Sequence, residues 1–335
     1  GLGDVYKRQL ITASTLAMGQ KIVILDEPLA NLDTAGAEML MSTLKSLAKA
    51  GYCIIVIEHR LDVVLPFVDK VFHVGNRNVN EITDRENYLK EQSTEIEDTC
   101  STFSGTLPAF SLADVAFAVK ERDILNGVTF DILKGSRTVL LGENGCGKTT
   151  LLRLISRLEK PTRGVILQNI DDKFGQKSKQ SKKWYKKVGV VYQNPDYQLF
   201  MQTVEKEIKF GAKSDEYADE IAEKFGIKHL YARHPQSLSE GQKRRVSIAA
   251  VVATDPEVLI LDEPTVGQDY KGLCEMVEVL NKLHEEAHNT MITVTHDKRC
   301  AAALCDKSVW IKNGKTYKTG GKELVDEFFI QIGVN

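Results

Sequence analysis

Short, uninterrupted apolar runs mark several places in this chain of 335 residues. Three of them read TVLLGENG, VLILDE and MITVTH, and each passes directly into glycine, acidic residues or histidine. Continuous apolar runs of this length are typical of strands that are buried on both faces of a parallel sheet. The pattern therefore predicts an α/β fold with a parallel sheet at its core.

Two other segments carry apolar residues at helical spacing. The residues that share one face are Leu151, Leu154, Ile155 and Leu158 in KTTLLRLISRLEKP, and Leu40, Leu44, Leu47 and Ala48 in AEMLMSTLKSLAKAG. This spacing predicts amphipathic helices that pack on the sheet. Pro161 follows the first segment and Gly51 follows the second, and both residue types commonly follow helix ends.

The chain contains an internal repeat. KIVILDEPLANLD at 21–33 recurs as EVLILDEPTVGQD at 257–269, and IIVIEHRLD at 54–62 recurs as MITVTHDKR at 291–299. The two spacings agree within one residue. Two landmarks in register indicate a tandem duplication, so we predict two related domains.

The two copies differ in what precedes them. Residues 108–256 lie ahead of the acidic strand in the second copy, but only residues 1–20 do so in the first, so we expect the first domain to lack its front portion. The opening GLGDVYKRQ resembles a translated adapter sequence, and a divergent N-terminus is the alternative. The predicted boundaries are a non-native leader at 1–9, the back part of a first domain at 10–79, an acidic linker at 80–107 and a complete second domain at 108–335.

Composition narrows the classes of partner. The chain has 44 basic and 46 acidic residues and a net charge of −2, whereas proteins that follow a nucleic-acid backbone usually carry a basic excess. No apolar run reaches the roughly 18 residues that suggest a transmembrane helix, and no secretory signal is visible. The six cysteines form no C-x-x-C pair. We expect a cytoplasmic chain without a nucleic-acid ligand, which meets a membrane only through a partner.

The segment GENGCGKTT at 142–150 fits the phosphate-binding pattern G-x-x-x-x-G-K-[ST], between an apolar strand and an amphipathic helix. The glycines let backbone N–H groups surround a phosphate, and the helix N-terminus adds partial positive charge. Lys148 is expected to reach the β- and γ-phosphates, and Thr149 to ligate Mg²⁺. The predicted nucleotide-binding residues of this P-loop are Gly142, Asn144, Gly145, Cys146, Gly147, Lys148, Thr149 and Thr150.

An acid pair follows the strand VLILDEP. Asp262 is predicted to hold Mg²⁺ through water, and Glu263 to accept a proton from an attacking water. Two carboxylates at the end of an apolar strand are costly unless a metal or a reaction uses them. An ordinary turn at the strand end is the alternative. The equivalent residues of the first copy are Asp26 and Glu27.

His296 ends the next apolar run and recurs as His59 in the first copy. A single histidine is more often structural than catalytic, but the recurrence favours a catalytic role in which His296 contacts the γ-phosphate. The segment SLSEGQKRRVSIAAVVA at 237–253 predicts a helix with Ser239 as its N-cap and its dipole toward an anion. An ordinary capped helix explains that segment equally well.

The P-loop, YQNPD, LSEGQ, LDEP and the strand-ending histidine, in that order, resemble the nucleotide-binding domain of ABC ATPases. The resemblance covers the second domain and the back part of the first. It implies an α/β P-loop NTPase of the ABC-ATPase fold, whose mixed, largely parallel sheet core carries helical and antiparallel β subdomains. It also implies ATP and Mg²⁺ as cofactors and ATP hydrolysis as the reaction.

The same resemblance implies individual roles. Gln193 matches the Q-loop glutamine, which contacts Mg²⁺, takes part in catalysis and links the site to a transport partner. Ser239, Gly241 and Gln242 match the signature, which contacts the nucleotide held by an opposite domain. Glu240 replaces the commoner glycine of that motif.

Two further matches concern the loop after the acid pair and the base of the nucleotide. Asp269 and Asp33 match the D-loop aspartates. The aromatic residue that stacks on adenine in the family falls on Val119, and Phe117 is the nearest candidate to replace it. Stacking contributes on the order of 1 kcal/mol, so either base affinity is weaker or Phe117 shifts to compensate.

Within the family, VVYQNPDYQLFMQTVEKEIKFG resembles the energy-coupling-factor importers of vitamins and cobalt, which include chains with two fused ATPase domains. The resemblance implies that integral membrane transport subunits contact Gln193–Met201 on the inner face of the cell membrane. It also implies a second ATPase domain or copy as a partner. Leu199, Phe200 and Met201 are equally compatible with a place in the core.

A soluble tandem ABC ATPase that acts on the ribosome or on nucleic acid is the main alternative. The resemblance to ribosomal members fails at the linker, because theirs is long and basic and residues 80–107 are short and acidic. The lysine-rich run at 172–187 is interpreted as a solvated hairpin. A regulatory module without turnover is disfavoured because Glu263 and Glu27 retain the catalytic base.

The expected mechanism is closure driven by ATP. Two ATPase domains meet head to tail with ATP between the P-loop of one and the signature of the other, closure moves the membrane partners, and hydrolysis reopens the pair. Residues 1–79 contain neither a P-loop motif nor a recognisable signature. We therefore expect this fragment to bind Mg-ATP at the second domain but to hydrolyse it poorly as a monomer.

Overall fold

The computed structural model describes residues 19–29, 32, 34–75, 77–91, 105–120, 122–170 and 182–333. The chain forms a first unit, Gly1–Ile96 with Ile332–Val334, and a second unit, Glu97–Gln331 with Asn335. Each unit is described by itself. The predicted leader at 1–9, Asp33 and the first part of the lysine-rich run, 172–181, lie outside the described residues.

The first unit contains two sheets of two strands each among its described residues. Its elements in chain order are β1 (Ile22–Asp26), α1 (Thr34–Lys49), β2 (Cys53–Ile57), α2 (Leu61–Val64), a 3₁₀ turn (Leu65–Phe67), β3 (Phe72–Gly75), β4 (Asn78–Glu81) and α3 (Arg85–Glu91). β1 and β2 are parallel, whereas β3 and β4 are antiparallel. The end of β4 and all of α3 lie within the range predicted as an acidic linker.

The predicted apolar stripe of α1 covers one face of the β1–β2 pair. Leu40, Met41 and Leu44 are buried there, and Leu47 packs against the same cluster. Gly51 follows the helix with a φ of 90°, which a residue with a side chain rarely adopts. The helix predicted from this periodicity is confirmed.

The strands of the second unit form two sheets. In chain order they are β5 (Pro108–Val119), β6 (Arg122–Leu133), β7 (Arg137–Leu141), β8 (Arg163–Gln168), β9 (Val188–Val191), β10 (Val258–Asp262), β11 (Thr290–Val294), β12 (Lys307–Lys312) and β13 (Lys315–Gly320). One sheet has the order β13-β12-β7-β11-β10-β9 and is parallel except between β12 and β13. The other is antiparallel, with the order β6-β5-β8. β7, β10 and β11 are buried throughout, which confirms the strands predicted from the three apolar runs.

Helices cover the parallel sheet and fill the region between β9 and β10. They are α4 (Lys148–Ile155), α5 (Lys182–Lys187), α6 (Val204–Lys209), α7 (Asp215–Lys224), α8 (Glu240–Val252), α9 (Tyr270–Ala287), α10 (Lys298–Ala303) and α11 (Lys322–Gln331). Three 3₁₀ turns accompany them, at Pro195–Tyr197, Lys228–Leu230 and Pro235–Ser237. In the part of the chain that the structure describes, no helix has the length and apolar character needed to cross a bilayer.

One apolar cluster joins the two sheets of the second unit to α4. Leu151 and Ile155 of α4 belong to it, together with Phe110 of β5 and Ile260 of β10. The helix ends earlier than predicted, and Leu158 lies beyond it as an exposed residue. The prediction was wrong at Leu158 because the chain leaves the helix before reaching the position that the periodicity assigned to the buried face.

The described part of the lysine-rich run is α5, not a solvated hairpin. Trp184 of α5 is buried, its Nε1 donates to Gln168 Oε1 at 2.9 Å, and the Arg157 guanidinium lies 4.6 Å from the centre of its ring. The hairpin prediction is wrong for this stretch because one indole packs into the core. The lysines around Trp184 make the segment look fully solvated in the sequence.

Candidate functional site: a nucleotide site at the ends of the parallel strands

The P-loop connects β7 to α4, and its glycines are required by its shape. Gly147 precedes α4 with a φ of 108°, and a Cβ there would lie 2.5 Å from Leu125 Cδ2. Gly142 has a φ of 152°, and a Cβ there would lie 2.5 Å from both Cys146 Sγ and Ile311 O. A side chain fits at neither position, so the loop keeps the tight curl in which backbone N–H groups can surround an anion.

Lys148 is the first residue of α4 and lies buried across the loop. Its Nζ donates to the carbonyl oxygens of Gly142 at 2.6 Å and Glu143 at 3.0 Å. The ammonium group therefore sits where the curl of the loop would also place a phosphate. Cys146 Sγ lies 4.0 Å from this ammonium, and burial raises the pKa of its thiol, so Cys146 acts as a neutral packing group. The other predicted residues of the loop, Asn144, Gly145 and Thr150, lie on its rim or at the start of α4.

Thr149 and Asp262 meet where α4 approaches the end of β10. Thr149 Oγ1 donates to Asp262 Oδ2 at 3.4 Å, and Asp262 is buried. Burial raises the pKa of the Asp262 carboxyl to about 6, against the opposing effect of the charges on Lys148 and Arg244. Hydroxyl and carboxylate oxygens are the hard ligands that Mg²⁺ prefers. These two residues therefore fit the predicted metal and are the ones that would hold it.

Glu263 continues from Asp262 in a backbone conformation that residues other than glycine seldom adopt. Its φ is 55°, and its N–H donates to Val294 O at 2.8 Å. Its Oε2 accepts from the N–H of His296 at 3.2 Å, and its Oε1 lies 3.6 Å from His296 Nε2. The ends of β10 and β11 thus bring this acid and this histidine together.

The Glu263 carboxyl has the properties of a proton acceptor. Burial, followed by the neighbouring charge of Asp262, raises its pKa to about 8. Its Oε1 is buried and has no hydrogen-bond partner among the described residues. An unsatisfied buried oxygen is costly, and a water held beside a phosphate would satisfy it. Burial thus makes this carboxyl hold a proton more tightly than an exposed one, which favours a role in proton transfer.

Gln193 follows β9, and the structure holds its backbone. Arg244 Nη1 donates to Tyr192 O at 2.7 Å, and Arg244 Nη2 donates to Gln193 O. Within the described ranges, no hydrogen bond links the Gln193 side chain to Thr149 or Asp262. The metal-binding and catalytic roles of Gln193 therefore stay predictions.

The LSEGQ segment begins α8 with a capping box. Ser239 Oγ accepts from the N–H of Gln242 at 3.3 Å, and Gln242 Oε1 accepts from the N–H of Ser239 at 3.2 Å. Gly241 O accepts from Gln268 Nε2 at 2.8 Å, and a Cβ on Gly241 would lie 2.7 Å from Gly267 O. These contacts tie the segment to itself and to the loop after β10. Its contact with a nucleotide on another cassette stays a prediction.

Phe117 lies near the end of β5. It is half-buried and packs against the apolar cluster that also receives Cys146 of the P-loop. Val119, two residues further on, is exposed. Phe117 therefore packs against the same apolar cluster as Cys146 of the P-loop, and its role in stacking on adenine stays a prediction.

The first unit has an acid and a histidine in a similar arrangement. Glu27 has a φ of 43°, its N–H donates to Ile57 O at 2.9 Å, and its Oε1 lies 3.7 Å from His59 Nε2. Asp26 ends β1 with an exposed side chain. The backbone N–H of His59 donates to Glu58 Oε2 at 3.1 Å, so a different carboxylate holds this histidine.

Arg244 and Glu58 are not among the residues predicted for the two acid sites. A signal for Arg244 exists, because Ile248 and Val252 follow it at helical spacing and are both buried. A charged residue in line with a buried face requires partners in the interior. No comparable signal marks Glu58, which follows an apolar run in a position where acidic residues are common.

Similarity to known proteins agrees with this geometry. A family model described as ABC transporter matches residues 125–266, which include the P-loop and the acid pair. Energy-coupling factor transporter ATP-binding protein EcfA2 of Enterococcus faecalis is 40% identical over 221 residues, which cover 61% of this chain and 74% of that protein. The chain belongs to the family of ABC transporter ATP-binding proteins. The fold of the second unit, a parallel core with an antiparallel sheet beside it, is the one predicted for an ABC ATPase and is confirmed.

Two more members of this family show where the similarity extends. A putative HMP/thiamine import ATP-binding protein of Bacillus subtilis, YkoD, is 31% identical over 347 residues, which cover 91% of this chain. This ABC transporter ATP-binding chain spans 63% of the length of YkoD. The solved structure of CbiO1 from Clostridium perfringens, part of the ABC transporter complex CbiONQ, matches with a TM-score of 0.58 and 31% identity, covering 66% of this chain and 92% of that one.

Proposed function

We propose that this chain is an ATP-binding and ATP-hydrolysing subunit that powers an ABC importer of the energy-coupling-factor type. The observation that carries the proposal is the meeting of Thr149 with Asp262 at the P-loop, directly beside Glu263. This grouping provides phosphate-binding, metal-binding and proton-accepting groups in one place. The name of EcfA2 supports the importer type, and the name of YkoD, an HMP/thiamine import protein, supports uptake of a vitamin; a transition-metal ion is the other substrate that the sequence resemblance implies.

The residues of the site divide the chemistry between them. Lys148 and the backbone N–H groups of the P-loop hold the β- and γ-phosphates by charge and hydrogen bonding. Thr149 and Asp262 would hold Mg²⁺, which would neutralise phosphate charge. Glu263 takes a proton from the attacking water, and His296 lies beside its carboxyl group on the side where the γ-phosphate is expected.

The segment after Gln193 presents an apolar surface that suits a membrane subunit. Phe200 is 67% exposed and packs edge-on against Phe210, with ring centres 5.5 Å apart. Glu207 Oε2 fixes this segment by accepting from the backbone N–H groups of Phe200 at 2.9 Å and Met201 at 2.7 Å. Leu199 is buried and therefore belongs to the core. Phe200 is the residue that we propose contacts the membrane subunit.

We assign residues 10–79 to the back part of a first ABC ATPase domain. The support is that β1 pairs with β2 in the register in which β10 pairs with β11. On the face of β1–β2 opposite α1, the exposed residues are Ile22, Ile24, Ile55 and Ile57, and their counterparts, buried in the cluster that includes α4, are Val258, Ile260, Ile292 and Val294. The proposed organisation assigns this exposed face to the P-loop half of a cassette.

Efficient hydrolysis is proposed to require a second complete cassette. Residues 1–79 carry no recognisable signature motif, so ATP bound at 142–150 needs a signature from another copy or domain. The polypeptide of residues 1–335 then binds Mg-ATP but turns it over slowly as a monomer. Turnover per chain is expected to rise with chain concentration, and a rate that is high and independent of concentration would contradict this.

Binding of a fluorescent ATP analogue with Mg²⁺ to the whole chain tests the site. Lys148→Ala is expected to raise the Kd at least about tenfold, because a hydrogen bond to a charged group contributes about 1.5–3 kcal/mol. Lys160→Ala removes an exposed lysine beyond the same helix and serves as the matched control, with a Kd expected to stay within about twofold. Unchanged affinity in Lys148→Ala would overturn the proposed function.

Co-purification with the integral membrane subunit of an energy-coupling-factor importer tests the importer assignment. Phe200→Asp is expected to lower recovery of the membrane protein at least about fivefold, because it places a charge in a desolvated contact. Ile330→Asp changes an equally exposed apolar residue on α11 and is expected to leave recovery unchanged. Co-sedimentation with ribosomes, without recovery of a membrane protein, would instead favour the tandem ATPase that acts on ribosomes.

A further inference from the structure

Two adjacent cations of α8 reach the segment that contains Gln193. Arg244 is buried, and its guanidinium donates to the carbonyl oxygens of Tyr192, at 2.7 Å, and Gln193. Lys243 is also buried, and its Nζ lies 3.0 Å from Asp196 Oδ1. The helix that begins with the LSEGQ segment is therefore joined by polar side chains to the segment that leaves β9.

The partners of Arg244 are unusual for a buried guanidinium, because both direct contacts are neutral backbone carbonyls. A buried cation is costly unless carboxylates balance its charge. Burial lowers the pKa of Arg244 to about 10, and the nearby charges of Glu263 and Asp262 oppose that shift. The guanidinium thus stays charged at neutral pH, and it interacts electrostatically with the acid pair while it donates to the segment around Gln193.

We propose that Arg244 is a positioning residue that couples the nucleotide site to the LSEGQ segment. The inference rests on the proposed function, because it requires Mg-ATP at the P-loop. A shift of the Gln193 backbone when nucleotide binds is passed through the guanidinium to the first turn of α8, which carries Ser239 and Gly241. The planar fork of arginine suits this task because two N–H groups hold two successive carbonyls in fixed orientation.

Hydrogen exchange of the whole chain, measured by mass spectrometry with and without Mg-ATP, can follow both ends of this connection. The segments to follow are 189–198, around Gln193, and 238–246, at the start of α8. Arg244→Gln removes the charge, and Arg244→Lys keeps the charge but loses the planar fork that holds the two carbonyls in a fixed orientation. Arg245→Gln is the matched control, because Arg245 lies on the same turn and donates to Glu275 at 2.8 Å and to Gln268 at 3.4 Å, but not to the Gln193 segment.

In the wild-type chain, Mg-ATP is expected to slow exchange in both segments. In both Arg244 variants it still slows exchange in 189–198, but the response of 238–246 falls at least about threefold, as expected for the loss of one to two hydrogen bonds. Arg245→Gln is expected to keep both responses. A merely structural role would change exchange without nucleotide and would not separate the two segments.

Three results would overturn the coupling role while leaving the proposed function intact. They are an unchanged response of 238–246 in Arg244→Lys, an equal loss in Arg245→Gln, and a wild-type chain that binds Mg-ATP with no response in 238–246. If Arg244→Gln does not fold, Arg244→Lys carries the test, because it retains the buried charge. A wild-type chain that binds no Mg-ATP contradicts the proposed function itself, which is a distinguishable outcome.

Discussion

The β1–β2 pair of the first unit and the β10–β11 pair of the second have the same local geometry in different surroundings. In each pair the first strand ends in Asp-Glu, with a positive φ at the glutamate. The glutamate lies 3.7 Å from His59 Nε2 in the first unit and 3.6 Å from His296 Nε2 in the second. The two glutamates differ in burial, because the Glu27 side chain is 30% exposed and that of Glu263 is 5% exposed.

Local sequence therefore determines the geometry of such a strand pair, whereas the elements packed around it determine the burial and the pKa of its carboxyl groups. β7 and β9 flank the β10–β11 pair, and α4 packs into the same cluster, so Glu263 is buried and the pKa of its carboxyl rises. The β1–β2 pair has α1 on one face, and Ile24 on the other face is 65% exposed. The pKa of the glutamate in this dipeptide therefore rises in the second unit because the surrounding protein removes it from water.

The residues around the histidines differ as well. Glu58 stands in the first unit where Thr295 stands in the second, and its Oε1 accepts from the N–H of Leu29 at 2.6 Å. Arg60 Nη1 donates to Leu32 O at 2.8 Å. The first unit thus holds the loop after its acid pair with side chains from the turn after β2, which carries His59.

Replacing each glutamate gives the largest expected contrast. Glu263→Gln is expected to lower the rate of ATP hydrolysis about 10²- to 10⁴-fold, because it removes the proton acceptor and keeps the shape. Glu27→Gln is expected to leave the rate within about twofold, since no P-loop accompanies it in residues 1–79. Phosphate release in a single turnover, at a chain concentration that permits pairing, measures both. Equal losses in the two variants would remove the functional distinction between the units.

Replacing matched isoleucines compares the two sheets. Ile260→Ala is expected to lower the free energy of unfolding of the second unit by about 2–5 kcal/mol, because it opens a cavity in the buried cluster. Ile24→Ala is expected to cost less than about 1 kcal/mol in the first unit, because its side chain already meets solvent.

The two units can be followed separately in this test. Both tryptophans, Trp184 and Trp310, lie in the second unit, so their fluorescence during urea unfolding reports on that unit. Hydrogen exchange in β1 and β2 reports on the first. A cost for Ile24→Ala as large as that for Ile260→Ala would mean that the exposed face is covered in solution.

The pH dependence of stability, measured without nucleotide, tests whether burial changes the pKa of Glu263. The pKa of Glu263 rises in the folded state from 4.5 to about 8, so the folded state holds the proton more tightly than the unfolded state does. Stability associated with this group is present at low pH and is lost as pH rises between these two values. Relative to Glu263→Gln, the wild-type chain should lose at least about 1 kcal/mol between pH 5 and pH 8.

Chemical denaturation of the wild type and Glu263→Gln in the presence of a chelator, at several pH values, measures this loss. Glu27→Gln, which removes the 30% exposed carboxyl at the equivalent position of the first unit, is the matched variant. A constant difference between the wild type and Glu263→Gln would show that burial does not disturb this carboxyl group.

The smallest expected effect concerns the exposed face of β1–β2. Ile24 and Ile55 are register partners there, and both are exposed. Replacing both with lysine should lower the fluorescence of a dye that binds apolar surface by about twofold, while the tryptophan unfolding transition stays unchanged. Unchanged dye fluorescence would show that the dye does not bind to the exposed face of β1–β2.

Much of the fold and part of the site could be predicted because they depend on residue type at short spacing. The three apolar runs and the stripe of α1 are examples, since periodicity reports which face of an element is buried. The predictions for Leu158 and Trp184 were wrong, because the end of a helix and the burial of a single indole depend on contacts with residues that are distant in the sequence. Arg244 was missed for a related reason, since its partners lie 51 and 52 residues away.

By itself, the sequence determined the phosphate-binding pattern, the acid-ended strands and the repeat that relates the two units. Tertiary structure alone decided which acid pair is buried, that Thr149 meets Asp262 across 113 residues, and that Arg244 holds the backbone at Gln193. The physical reason is that a motif specifies which groups are available, whereas solvent exposure and pKa depend on the elements that pack around them. Those elements are distant in the chain, so only the folded arrangement distinguishes Glu263 from Glu27.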